Sequence, residues 1–339
     1  MNRLEVNDLK TYFFLDEGIV KAVDGVNLSV GEQETVGVIG ESGCGKTVMA
    51  RSLMRLVVPP GEIVKGSVLL RSKNGRLVDV LGLEPDSAEL RVVRGNEISM
   101  VFQEPMTAFS PVHTVGFQIS EMVAVHTGMS KRELREYVVE LLNRVGISNP
   151  AQRFDEYPYQ LSGGMRQRAM IAMALSCKPQ IVIADEPTTA LDVTIQAQIL
   201  ELMKDLQRQE NMSMIYITHD LGVVAESVDR VYVMYLGRVV ETTTTERLFR
   251  EPMHPYTQKL LRSIPQPGHR VDKLEVIEGS VPSAMDPPIQ CPFFARCAFA
   301  MPGKCDQAVP ALVEAAEGHF VRCYLHSDQS EPEDEWTRA

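Results

Sequence analysis

The segment Gly40–Thr47, GESGCGKT, constrains the fold more than any other part of the chain. It fits the pattern G-x-x-x-x-G-K-[ST] and sits between an apolar β run at Thr35–Ile39 and a helical pattern starting at Lys46, the context that pattern requires. Gly40, Gly43 and Gly45 let the backbone around Glu41, Ser42 and Cys44 curl. Its N–H groups then face an anion at a helix N-terminus, where the helix dipole adds partial positive charge. Lys46 is placed to reach the β- and γ-phosphates of a nucleotide, and Thr47 to offer a hydroxyl to Mg²⁺. A glycine-rich turn with a purely structural purpose needs neither the Lys-Thr pair nor the flanking strand and helix.

A second segment, IVIADEP at Ile181–Pro187, reads as a buried strand that delivers Asp185 and Glu186 to its C-terminal edge. Ligands collect at such edges in open α/β sheets. Asp185 is suited to hold Mg²⁺, and Glu186 points towards the place of an attacking water. By itself a strand ending in Asp-Glu is often only a helix cap; paired with the phosphate loop it completes a nucleotide site. A third segment, LSGGMRQR at Leu161–Arg168, precedes a helical pattern, so Ser162, Gly163 and Gly164 form another anion-facing helix start.

Apolar runs at Ile98–Phe102, Met214–Thr218 and Val231–Tyr235 read as further strands. Leu4–Val6 and Val20–Val30 read as antiparallel ones. Helical periodicity at Lys131–Val145, Met165–Leu175 and Thr194–Leu206 lies between them, which makes the class α/β. The stretch 104–160 lacks a comparable strand and is expected to be an inserted helical subdomain. Past about Met253 the texture becomes rich in proline and turns, so 1–252 is expected to be the nucleotide-binding domain and 253–330 a C-terminal appendage. The acidic 331–339 is read as a solvated tail.

The chain has 339 residues, 44% of them hydrophobic and 23% charged, which is ordinary globular composition. A net charge of -11 argues against a broad nucleic-acid footprint. Neither a signal-peptide core nor a run of roughly 18 apolar residues is evident, so a cytosolic location is expected. Cys44 and Cys177 stand apart, whereas Cys291, Cys297, Cys305 and Cys323 are spaced C-x5-C-x7-C-x17-C. In a reducing compartment such clustering favours metal over disulfides, and the spacing leaves zinc, an iron–sulfur cluster and free thiols open.

The motifs follow the order GESGCGKT, Gln103, LSGGM, IVIADEP, Ala190-Leu191-Asp192, His219. In that order, from about Leu4 to Glu241, the chain resembles the ATP-binding cassette (ABC) family of phosphate-loop NTPases, with an antiparallel β subdomain and a helical insertion. The resemblance implies two cassettes facing head to tail, so that Ser162, Gly163 and Gly164 serve the partner's nucleotide and Asp192 crosses the interface. It further implies that Gln103 senses the γ-phosphate or metal, that His219 contacts the γ-phosphate, and that Phe13, with Tyr12 as neighbouring candidate, stacks on adenine. LSGGMRQR, ALDVTIQAQIL, HPYT at His254–Thr257 and the cysteine-bearing tail resemble the dipeptide/oligopeptide/nickel importer branch.

That branch implies a heterodimer with a second, paralogous ATPase beneath two transmembrane permease subunits. An extracytoplasmic solute-binding protein would feed the complex, and the chain would sit peripherally on the cytoplasmic face of the inner membrane. It also favours a [4Fe-4S] cluster on the four tail cysteines over zinc. The segment EPMTAFSPVHTVGF suits a groove that receives the membrane subunits, and internal core packing explains the same residues almost equally well. The competing class is a soluble ABC ATPase outside transport, but such proteins usually carry two cassettes or a long coiled coil, and neither is present here.

Overall fold

The structure is a computed structural model that describes residues 1–189, 191–263, 277 and 279–332. Ala190, the PQPG sequence at 265–268 and most of the expected acidic tail lie outside the described residues. In chain order the first elements are β1 (Asn2–Leu15), β2 (Gly18–Gly31), β3 (Thr35–Ile39), α1 (Lys46–Leu53), β4 (Gly61–Arg71) and β5 (Leu77–Asp79). Next come α2 (Ala88–Val92), β6 (Ile98–Val101), α3 (Pro105–Ala108), α4 (Val115–His126), α5 (Lys131–Arg144), α6 (Pro150–Phe154) and α7 (Gly163–Leu175). Then follow β7 (Ile181–Asp185), α8 (Val193–Glu210), β8 (Ser213–Ile217), α9 (Leu221–Ser227), β9 (Arg230–Tyr235), β10 (Arg238–Thr244) and α10 (Thr245–Arg250). The last are α11 (Pro255–Arg262), β11 (Val313–Ala316) and β12 (His319–Val321). The residues group into two units, one built of 1–4, 30–34 and 69–216, the other of 5–29, 35–68 and 217 onward.

In the first unit β6, β7 and β8 lie side by side, with β6 and β7 parallel from Ile98↔Ile181 to Val101↔Ala184. Every residue of the three strands is buried, which is why each is mostly apolar rather than an alternation of apolar and polar residues. Helices α3 to α6 fill the insertion between β6 and β7. Helix α5 starts at a capping box, Ser130 with Glu133, and buries Leu134, Val138, Leu141 and Leu142 on one face. Each buried aliphatic side chain is worth about 1.5–3 kcal/mol against about 1 kcal/mol for a cap, so the apolar stripe decides where the helix lies. In α4, a Cβ at Gly116 would meet Cγ of Phe154 at 2.2 Å, so only glycine lets α4 approach that ring.

In the second unit β3 pairs parallel with β9, and β9 turns through Leu236-Gly237 into antiparallel β10. Strand β12 then pairs antiparallel with β10, Glu241↔Val321 and Thr242↔Phe320, and β11 pairs with β12. The C-terminal segment therefore adds strands to this unit's sheet. Within that segment Tyr256, Phe293, Val309, Val321 and Tyr324 are all buried. Strands β2, β1 and β4 form a separate sheet in the same unit. Strands β4, β5, β10, β11 and β12 are absent from the sequence reading, because glycine, charge and proline break their patterns.

A buried carboxylate ties the C-terminal strands down. Glu241 is fully buried and accepts hydrogen bonds from the backbone N–H of Met253 (2.7 Å) and His254 (2.9 Å), while His319 Nε2 lies at 2.7 Å. Burial alone would push its pKa up. The hydrogen bonds from His319 and the two N–H groups outweigh burial and hold it below the ordinary glutamate value.

Candidate functional site

The phosphate loop belongs to the second unit and follows directly from buried β3. Two of its glycines are fixed by close approach of other backbone. A Cβ on Gly40 would lie 2.2 Å from the Met234 carbonyl oxygen, and one on Gly45 2.0 Å from that of Ala22. Gly45, with φ +100°, is the cap of α1, so it combines a left-handed turn with a contact no side chain could share. Gly43, at φ +79°, faces open space, and Ser42 beside it is exposed. Cys44 is buried against Gly40; burial pushes its thiol pKa up despite the nearby Lys46 ammonium, so it serves as packing. Lys46 Nζ donates to the carbonyls of Gly40 (2.8 Å) and Glu41 (3.0 Å), which holds the ammonium across the curled loop. Thr47 follows in the first turn of α1.

In the same unit the Thr218 N–H donates to the Val38 carbonyl at 3.3 Å, so exposed His219 leaves beside the strand that feeds the loop. Phe13, half-buried near the end of β1, lies where a Cβ on Gly61 would approach its Cε1 to 2.6 Å. Tyr12 is ruled out as an adenine platform. It is fully buried, and its hydroxyl donates to Asp24 at 2.7 Å within an ion cluster with Arg238 and Lys10.

The first unit carries the carboxylates. Asp185 is buried at the end of β7. Glu186 takes a left-handed backbone, φ +46°, rare for a non-glycine residue and costing about 1–3 kcal/mol. Because β6 and β7 pair at Val101↔Ala184, Gln103 and Glu186 emerge two residues past a matched pair. Gln103 Nε2 donates to Glu186 Oε2 at 2.9 Å, and Thr189 Oγ1 donates to the same oxygen at 3.0 Å. Thr189 is missing from the sequence reading; its signal was its place three residues after Glu186. Gln167, on α7, donates to the Pro187 carbonyl at 2.5 Å and so ties the helix of the LSGGM segment to the carboxylate turn.

Ser162 caps α7, its Oγ accepting from the Met165 N–H at 3.3 Å. Ser162 and Gly163 are exposed, and Gly164 is half-exposed with its Cα facing Ile195. Asp192 caps α8, accepting from the Ile195 N–H at 3.0 Å, while remaining exposed. In the groove-like segment Met106, Val112 and Phe117 are exposed but Phe109 and Val115 are buried, so core packing and surface share it.

The four tail cysteines line one cavity in the second unit, together with His254, Phe293, Phe299, Tyr324 and other apolar residues. Cys291, Cys305 and Cys323 are buried and Cys297 is half-buried. Burial pushes the Cys291 thiol up to about 12 and Cys323 up to about 11. Yet among the described residues no group of three or more His, Cys, Asp or Glu side chains is drawn together closely enough to hold a metal ion. The expected iron–sulfur or zinc site is therefore present as a shared cavity and not as a formed ligand set. Cys177, in the first unit, is half-buried beside the Met122 carbonyl.

A buried strand running into a glycine cradle closed by a lysine, and a second buried strand ending in paired carboxylates, define a phosphate-loop nucleotide-binding protein. The family model described as ABC transporter matches residues 23–189, and that of the oligopeptide/dipeptide transporter C-terminal region matches 240–305. The chain is 52% identical to the oligopeptide transport ATP-binding protein AppD of Bacillus subtilis strain 168, over 96% of this chain and 97% of that one. To the dipeptide transport ATP-binding protein DppD of Escherichia coli K12 it is 43% identical, over 97% and 98% respectively. Among solved structures, the dimeric post-hydrolysis state of the ATP-binding cassette MJ0796 bound to ADP and Pi matches with TM-score 0.62 at 28% identity. That match covers 71% of this chain and 98% of the other. The chain belongs to the ABC transporter family, as an ATP-binding subunit of its oligopeptide/dipeptide branch. These relatives are transport subunits, which counts against the alternative of an ABC ATPase outside transport.

Proposed function

We propose that this chain hydrolyses ATP to power import of peptides, working with a paralogous ATPase, two transmembrane permeases and an extracytoplasmic solute-binding protein at the cytoplasmic face of the inner membrane. Among the described residues no helix is long and apolar enough to cross a membrane, so the permeation path belongs to other subunits in this reading. The observation that carries the chemistry is Glu186, turned out of a buried strand by a left-handed backbone and held by Gln103 at 2.9 Å. A carboxylate fixed in that way is suited to orient a water for in-line attack on a γ-phosphoryl group.

In this reading the Lys46 ammonium leaves its loop carbonyls for the phosphate oxygens, and Phe13 stacks on adenine. His219 contacts the γ-phosphate, while Ser162, Gly163, Gly164 and Asp192 act across the dimer interface. Thr47, Asp185 and Gln103 each carry an oxygen that suits a hard divalent cation, and Mg²⁺ bound with the nucleotide would neutralise charge on the phosphates. In the assembled transporter, Glu186→Gln is expected to bind ATP normally and to lose turnover by about a hundredfold or more. Hydrolysis at the wild-type rate by that variant would reject the assignment.

A [4Fe-4S] cluster on Cys291, Cys297, Cys305 and Cys323 belongs to the same proposal. Four thiols on one apolar cavity suit thiolate-held iron or zinc, and binding would draw the sulfurs together and cross-link the segment. Anaerobic purification should give a brown protein with about four iron atoms per chain. A colourless protein holding one zinc would replace the cluster with the runner-up, and a metal-free one would leave four structural thiols.

A further inference from the structure

Glu41, the second residue of the phosphate loop, is gripped from the C-terminal region at both its side chain and its backbone. Arg296 Nη1 donates to Glu41 Oε2 at 2.7 Å and Arg296 Nη2 to Glu41 Oε1 at 3.0 Å, a two-pronged ion pair whose arginine side chain is 4% exposed. The Glu41 N–H donates to the Tyr256 hydroxyl at 2.8 Å. Both anchors are themselves held. Arg296 also donates to the Tyr235 hydroxyl (3.3 Å) and the Ile277 carbonyl (3.3 Å), and Tyr235, Tyr256 and Phe293 pack ring to ring with centroids 4.7–5.4 Å apart. Arg296 and Tyr256 lie well past the residues that match the ABC transporter family model, 23–189.

A carboxylate in a phosphate loop works against the loop's purpose, because it repels the polyanion the backbone N–H groups attract. A bidentate guanidinium is the partner best able to neutralise it and to fix its direction. Ordering the start of the loop in advance also removes part of the conformational cost of gripping a nucleotide.

We propose that Arg296, assisted by Tyr256, is a positioning residue for nucleotide binding: it neutralises and anchors Glu41, so that the C-terminal region sets the affinity of the phosphate loop. The inference rests on the reading of GESGCGKT as an ATP site. Its effect falls on ground state and transition state alike, so KM for ATP moves and kcat does not. A merely structural role would instead lower the active fraction, and with it apparent kcat, at unchanged KM.

The test is ATP affinity of the full-length chain with Mg²⁺, together with ATPase kinetics of the assembled transporter. Arg296→Met is expected to raise the ATP Kd and KM about five- to tenfold with kcat retained, because an unpaired Glu41 then faces the phosphates. Adding Glu41→Gln should bring the Kd most of the way back, the non-additivity expected of residues acting as one unit. Should Arg296→Met fail to fold, Arg296→Lys and Tyr256→Phe carry the same test with smaller shifts in the same direction. Kd values within twofold of wild type in every folded variant, or no recovery in the double variant, would overturn the proposal. A wild-type chain that binds no ATP would instead bring down the nucleotide-site reading, and the proposal with it.

Discussion

Gln103 and Glu186 stand 83 positions apart in the chain, and the amide of one donates to the carboxylate of the other at 2.9 Å. Two parallel strands bring them together, since each residue lies two positions beyond the matched pair Val101↔Ala184. The left-handed turn at Glu186 completes the geometry.

Gln103→Ala removes a side-chain donor to Glu186 Oε2 and leaves that of Thr189. Turnover in the assembled transporter should fall about tenfold, with ATP affinity changed much less, as expected when a group acts chiefly in the transition state. Steady-state kinetics and nucleotide titration together check it. An affinity loss with unchanged kcat would place Gln103 in binding instead.

Phe13 and its neighbours separate by exposure: Tyr12 is fully buried, Phe13 half-buried and Phe14 exposed. If Phe13 is the adenine platform, Phe13→Ala should weaken ATP binding by about 1–3 kcal/mol, the usual worth of a base stacked on an aromatic ring. Phe14→Ala should leave it alone. Titration with ATP and with inorganic triphosphate distinguishes a base contact from a general disturbance, since triphosphate binding should not change.

Glu241 predicts the acid limit of the C-terminal strands. Its folded pKa lies below the ordinary glutamate value, so the unfolded chain takes up the proton first as pH falls. The stability it contributes is present above the ordinary glutamate range and is lost as pH drops through the folded value. Hydrogen exchange of β10 and β12 should rise over that interval before that of β7. In Glu241→Gln the acid-induced rise attributable to this group should disappear, against a lower stability at neutral pH.

Much of the candidate site was legible in the chain because short motifs act through local geometry. GESGCGKT forms its cradle from its own glycines and the helix it starts, and buried strands such as Ile181–Asp185 announce themselves as unbroken apolar runs. Ser162 also read correctly as a residue that begins a helix, since a capping side chain needs only the N–H groups two or three positions on.

Other features depended on partners far along the chain. Tyr12 and Phe13 look interchangeable in sequence, and only the burial of Tyr12 against Asp24 separates them. The strands of the C-terminal segment were hidden by proline and turn residues, and they form because β10 offers an edge on which Glu241 can be satisfied. The strained backbone of Glu186 carries no sequence signature at all. Sequence alone determined which chemistry this protein carries, because cradle, carboxylates and caps are set by neighbours within a few residues. Tertiary structure alone decided which aromatic is available, how Glu186 is aimed and what restrains Glu41, because those depend on burial and on contacts across long stretches of chain.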